Sequence, residues 1–224
     1  MRKNNLLDTL NYKIVSCEKC PRLVLYRNKI AKEKVKRFKD QIYWGKPLTG
    51  FGDSNAQLLI VGLAPAAHGG NRTGRMFTGD SSGDWLAKVL YDFGFANKPT
   101  STTVDDGLEL NNAYITAALR CVPPENKPAK NELTNCSDYL KLEFEILKNV
   151  NVIICLGKIA FDSCCKLLGI KGIKFSHAKF FSHNEFKILC SYHPSRQNTQ
   201  TGKLKWNQWA KVFSKAKRIL DEDK

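Results

Sequence analysis

The residues with the clearest capacity for chemistry fall into three sets. The first is GLAPAAHGGNRTGRMFTGDSSG, Gly62 to Gly83, directly after the apolar run Leu58-Leu59-Ile60-Val61. It holds six glycines, and glycine costs backbone entropy unless a positive φ or a close approach to the chain requires it. Among them stand His68, Arg72, Arg75, Phe77 and Asp80, which together offer an imidazole, two cations, an aromatic face and a carboxylate. The second set is YHPSRQNTQTGK, where His193 precedes Arg196, Gln197 and Lys203. A plain surface turn is the simpler reading of each. Two polar loops that open on one sheet edge would instead form a ligand crevice.

The third set is cysteine. Cys17-Glu18-Lys19-Cys20-Pro21 is a tight C-x2-C-P, and Cys121 and Cys136 have fourteen residues between them. Structural zinc usually takes two close pairs. Four thiolates from separate loops suit a 4Fe-4S cluster better. Four unrelated thiols would sit in a core, whereas Pro21, Pro123, Pro124 and Pro128 stiffen loops around these. The expectation is a cluster remote from the chemistry, tying the amino-terminal segment to the middle of the chain. Cys155, Cys164, Cys165 and Cys190 fall in strand-like or helical stretches and read as small core hydrophobes.

The elements that must position these residues follow from periodicity. QLLIVG, NAYITAALRC and NVIICLG read as buried strands, and IKFSHAKFF with FKILCSYHP as a further pair. GDWLAKVLYDFGF places Trp85, Val89 and Phe93 on one helical face, with Leu86 and Leu90 beside it. Helices are also expected over CPRLVLYRNKIA, PAKNELTNCSDYLKLEFEILKNV, KIAFDSCCKLLG and KWNQWAKVFSKAKRIL. The basic run AKEKVKRFK is read as the solvated face of the first of these. Strands alternating with helices predict one domain over 1–224, a three-layer α/β/α fold with a central, mostly parallel sheet flanked by helices.

Composition narrows the partners. Thirty-six Lys and Arg against twenty-one Asp and Glu leave a net charge of +15, which favours a polyanion such as DNA. No run suits a bilayer and no amphipathic anchor is evident, so a cytoplasmic protein without membrane contact is expected, associated with the nucleoid when engaged with DNA. The glycine run is not a P-loop and does not follow G-x-G-x-x-G, which disfavours kinase and dehydrogenase chemistry. The H-x-E of zinc deaminases and the G-x-S-x-G elbow of hydrolases are also absent from the sequence.

GLAPAAHGGNRTGRMFTGD, with the C-x2-C-P start, RCVPPENKP and YHPSRQNTQTGK, resembles the family 5 uracil-DNA glycosylases over nearly the whole chain, from about Cys17 to about Trp209. The resemblance implies a monofunctional enzyme that removes uracil and other deaminated bases from DNA, a uracil-DNA-glycosylase-like fold, and a 4Fe-4S cluster on an amino-terminal segment. A glycosylase must extrude its nucleotide into a pocket. Phe77 resembles the aromatic that stacks on the flipped base, and Gly62, Ala64, Ala66, Asn71 and Arg75 complete the expected pocket. Arg72, Arg196, Gln197 and Lys203 are the expected DNA contacts. His193, Asp80 and Asn126 take the chemistry: a donor to the base, a carboxylate for water and the sugar cation, and a residue holding that water. A structural histidine and a helix N-cap are the bland alternatives for the first two.

Departures matter as much. Ala66 and Ala67 stand where many relatives carry a water-activating polar residue, and Ala117 where the family 4 enzymes carry a base-reading asparagine. A broader base choice is expected. Uracil-containing DNA, double-stranded or single-stranded, is the expected partner of a monomer. A non-catalytic iron–sulfur module that recognises damaged DNA is the competing reading.

Overall fold

A computed structural model describes residues 3–222. Six strands form one sheet: β1 (Phe51–Gly52), β2 (Leu58–Gly62), β3 (Ala113–Ala117), β4 (Val152–Leu156), β5 (Phe180–His183) and β6 (Phe186–Ser191). Their order is β1-β3-β2-β4-β6-β5. The central four run parallel, and β1 and β5 close the edges antiparallel. The sheet is therefore mixed, with the expected parallel part at its centre. Every residue of β2, β3 and β4 is buried, because helices cover both faces.

Alternate side chains divide between two cores. Leu58, Ile60, Val152, Ile154 and Leu189 pack with α4 (Ser81–Asp92) and α8 (Trp206–Glu222), where Trp209 and Phe213 are fully buried. Leu59, Val61, Ile153, Cys155 and Cys190 face α5 (Lys130–Ile146) and α6 (Lys158–Leu168). A third cluster joins Leu10 and Ile14 of α1 (Lys3–Val15) and Leu23 of α2 (Pro21–Glu33) to Leu119, Cys121, Cys136 and Tyr139.

Three expectations need correction. β3 stops at Ala117 instead of running to Cys121, although Ala118 and Leu119 still donate to the Gly62 and Leu63 carbonyls. Short helices interrupt both polar loops: α3 (Gly70–Thr73), and α7 (Arg196–Gln200), which Ser195 caps. Only the first three residues of the basic run, Ala31 to Glu33, lie on the helix. α2 ends at Glu33, Lys34 turns left-handed at φ 53°, and Lys36–Phe38 makes a single 3-10 turn. Contacts with the glycine loop hold this segment, and they outweigh helix propensity.

Under β3 lies an ion pair that no surface reaches. Arg120 and Glu143 are 1% and 0% exposed, Arg120 donates to Glu143, and Thr116 Oγ1 donates to the same carboxylate at 2.6 Å. A hydrogen bond to a charged group contributes about 1.5–3 kcal/mol. Thr116→Val keeps the shape and removes the donor, so it should lower unfolding stability by about 2 kcal/mol. Denaturant titration should show a lower midpoint with an unchanged slope.

Candidate active site

The chain after β2 crosses to β3, and the chain after β4 goes the other way to β6. That reversal opens a crevice at the carboxyl ends of the strands. A cleft of about 960 Å3 lies there, and its walls include Ala64, Ala66, Arg72, Asp80, Asn126, His193, Arg196 and Gln197. Ser82 Oγ donates to the Pro194 carbonyl at 3.1 Å, pinning the start of α4 to the loop after β6.

Asp80 stands at the head of α4. Its Oδ1 accepts from the amides of Ser82 at 2.9 Å and Gly83 at 3.0 Å, the geometry of an N-cap. Oδ2 is left over, and it lies where a side chain on residue 69 would be: a Cβ on Gly69 would come within 1.8 Å of it. This is what one of the loop's glycines is for. Burial raises the Asp80 carboxyl above the usual aspartate range, while the two amides and the Arg72 charge oppose that rise. The helix cap thus uses only one of the two carboxylate oxygens.

His193 lies one residue beyond Tyr192, after β6. Its ring stacks on Phe77, with centroids 5.6 Å apart and an interplanar angle of 28°. Among the described residues its ring nitrogens make no hydrogen bond, so they remain for a ligand. Burial pushes the imidazole down to about 4, which leaves it neutral at pH 7 with one N–H to donate. Phe77 is held at φ 49°, a conformation that costs a non-glycine residue of order 1–3 kcal/mol. Its ring also fills the space beside Gly62, where a Cβ would come within 2.7 Å. Phe77 is half-buried and packs between Gly62 and His193, and neither Phe77 nor Gly62 is among the residues walling the cleft. Asn126 follows Glu125, both left-handed, at the exposed rim.

The structure removes other expected residues from the cleft. Asn71 is 1% exposed and donates to the Arg27 carbonyl, tying α3 to α2. Arg75 is 5% exposed and pairs with Asp106 at 2.8 Å, while also donating to Thr78 and Ser101. Both are structural pins whose partners lie far away in sequence. Lys203 sits with its Nζ 4.8 Å from the Tyr192 ring, outside the cleft. Arg72 lines the cleft, but its guanidinium is engaged by the His68 and Gly79 carbonyls and Gln41.

Residues missed in the sequence also line the cleft. Asp84 is a second carboxylate, one turn beyond Asp80, and its spacing of four was a usable signal. Val35, Arg37 and Phe38 arrive from the basic run, with no local signal beyond charge density.

The four singled-out cysteines share one small pocket with Arg27, Arg120 and Asn135. Arg27 Nη1 donates to Cys121 Sγ at 3.2 Å, the Arg120 amide to Cys136 Sγ at 3.3 Å, and Asn135 Nδ2 to Cys20 Sγ at 3.5 Å. Arg27 Nε and Arg120 Nε and Nη1 are buried without partners. Among the described residues no group of three or more His, Cys, Asp or Glu is arranged to hold a metal ion. Ala64, which lines the cleft, also packs on the core cluster that contains Cys121 and Cys136. No described helix is long and apolar enough to cross a membrane.

The family model described as "Uracil DNA glycosylase superfamily" matches residues 49–217. The chain is 43% identical over 209 residues to a type-5 uracil-DNA glycosylase of Pyrobaculum aerophilum, covering 93% of this chain and 91% of that protein. It is 42% identical to the type-5 uracil-DNA glycosylase of Thermus thermophilus, with 92% and 94% covered. Identity to a type-4 uracil-DNA glycosylase of Archaeoglobus fulgidus is 27%, over 84% and 81% of the two chains. Similarity of this extent, on a mixed sheet whose glycine loop and His193 meet at one cleft, means that the chain belongs to the uracil-DNA glycosylase superfamily and, within it, to the type-5 uracil-DNA glycosylases.

Proposed function

We propose that this chain is a monofunctional DNA glycosylase that hydrolyses the N-glycosidic bond of uracil, and of other deaminated bases such as hypoxanthine, in DNA. The observation that carries the reading is a neutral His193 and the Asp80 carboxylate opening on one cleft beside a cationic rim. The target base leaves the stack to enter that cleft. Bond cleavage puts negative charge on the departing base and positive charge on the sugar. His193 donates to the base oxygen that gains charge; Asp80, through Oδ2, stabilises the sugar cation and orients water, with Asn126 at the rim helping to hold it. Ala64 and Ala66 wall the cleft with methyl groups that read no base edge, so bases other than uracil are accepted. Arg196 and Gln197 are exposed at the start of α7 and serve as DNA contacts there.

The direct test is incubation of the purified protein with a uracil-containing duplex and a panel of deaminated bases. Free uracil should appear, leaving alkali-labile sites. Binding without release would leave a damage-recognition module in place of an enzyme.

We also infer that Cys17, Cys20, Cys121 and Cys136 hold a 4Fe-4S cluster. The support is the chemistry of the donor set: four thiols in one pocket, N–H groups aimed at three of them, and two buried arginines with unpartnered nitrogens beside them. Such cations offset the negative charge that four thiolates bring into a buried site. When bound, the cluster supplies a cross-link among α2, α5 and the Cys121 loop, not a step of the reaction. Protein purified without air should be brown and contain iron and acid-labile sulfide. Stoichiometric zinc without visible absorbance would overturn the assignment. Cys155→Ser and Cys190→Ser should keep the iron.

A further inference from the structure

The run Lys34–Tyr43 carries four cations, Lys34, Lys36, Arg37 and Lys39, against one acid, Asp40. It is latched onto the glycine loop at several points. The Arg72 guanidinium lies 3.9 Å from the centroid of Phe38, and Arg72 Nη1 donates to Gln41 Oε1 at 2.7 Å. Tyr43 Oη and His68 Nδ1 are 3.0 Å apart, and the amides of Trp44 and Gly45 donate to the Arg72 and Asn71 carbonyls. The backbone is thus fixed at the cleft mouth, yet two side chains find no use within the protein. Arg37 is exposed, lines the cleft, and among the described residues makes no hydrogen bond or ion pair; its guanidinium only borders the Phe38 ring at 5.0 Å. Ile42 is 94% exposed. It stands between Gln41 and Tyr43, whose side chains both turn to the glycine loop, so its own points away from the protein.

We propose that Lys34–Tyr43 is a DNA-binding arm, in which Arg37 holds a backbone phosphate beside the cleft and Ile42 is an apolar wedge pressed into the base stack. This rests on the reading of the cleft as a DNA site. An unpaired guanidinium next to Arg72 suits a phosphate, whose neutralisation releases counterions. An exposed aliphatic side chain on a latched, cationic segment is what minor-groove proteins insert between base steps to unstack them. The arm therefore completes the cleft from a segment distinct from α7.

Duplex affinity measured against salt concentration tests the phosphate contact. Arg37→Gln should make the slope of log K against log salt shallower by about 0.9, the value of one phosphate. For the wedge, 2-aminopurine is placed beside the target uracil in either strand. Its fluorescence should rise on binding of the wild-type protein, and Ile42→Ser should remove most of that rise. Both side chains are exposed, so neither variant should change the melting temperature. A wild-type salt slope overturns the phosphate contact, and an undiminished fluorescence rise overturns the wedge. Neither readout needs catalysis. A protein that shows both changes but releases no uracil would overturn the proposed activity and keep the arm; one that releases uracil and shows neither change would do the reverse.

Discussion

His193→Ala should slow single-turnover release of uracil by about 100- to 1,000-fold, the cost of losing one preorganised donor to a developing anion. Duplex affinity should change little, because phosphate contacts carry most of it. The ring is fixed in position by its stack on Phe77, and His193 lines the cleft. Burial leaves it neutral until the pH falls through about 4, so the wild-type rate should show no break near 6.5, where an ordinary histidine titrates. Activity should fall only in more acidic solution, where Asp80 takes up a proton. Asp80 works as an anion and burial raises its pKa, so the loss comes as pH drops through a value above the usual aspartate range. Rate against pH, measured in single turnover, checks both statements. A limb centred near 6.5 would show that His193 titrates as a solvated imidazole and would defeat the neutral-donor role.

Asp80→Asn should reduce single-turnover excision by about 100-fold or more, the lower end of what a positioned acid–base group contributes, while leaving the fold as stable as before. Asparagine is as good an N-cap as aspartate, so its side-chain oxygen can still accept from Ser82 and Gly83. The neutral amide also escapes the desolvation that raises the carboxyl's pKa, so the thermal midpoint should equal or exceed the wild type at neutral pH. Asp80→Ala should lose excision and about 1 kcal/mol of stability together, since it removes the cap as well. The pair of variants separates the two oxygens of one side chain. Wild-type rates in Asp80→Asn would reduce the residue to a cap.

Much of this was legible without coordinates, for identifiable reasons. β2, β3 and β4 announce themselves as short apolar runs because parallel strands are covered on both faces. α4 shows the spacing of a half-buried helix, and its cap stands where Asp80 precedes it. The C-x2-C spacing and the motif around Gly62 and Asp80 were visible in the same way, since each lies in one short stretch of chain; only the fold brings Cys121 and Cys136 to Cys17 and Cys20. Side-chain direction was not visible. Arg75 and Asp80 are five residues apart in one loop, yet Arg75 turns into the protein because Asp106, thirty-one residues away, receives it. Asn71 leaves the cleft for Arg27 in the same manner. The run AKEKVKRFK read as a charged helix face because nothing in its own sequence names Arg72, which lies over Phe38, as a partner. Composition and periodicity determined which residues could form strands, cap helices and carry charge, because those properties belong to a few neighbouring positions. The tertiary structure alone decided which charged groups face the cleft and which are consumed as pins, because a buried charge goes to whichever partner the fold brings within hydrogen-bond reach.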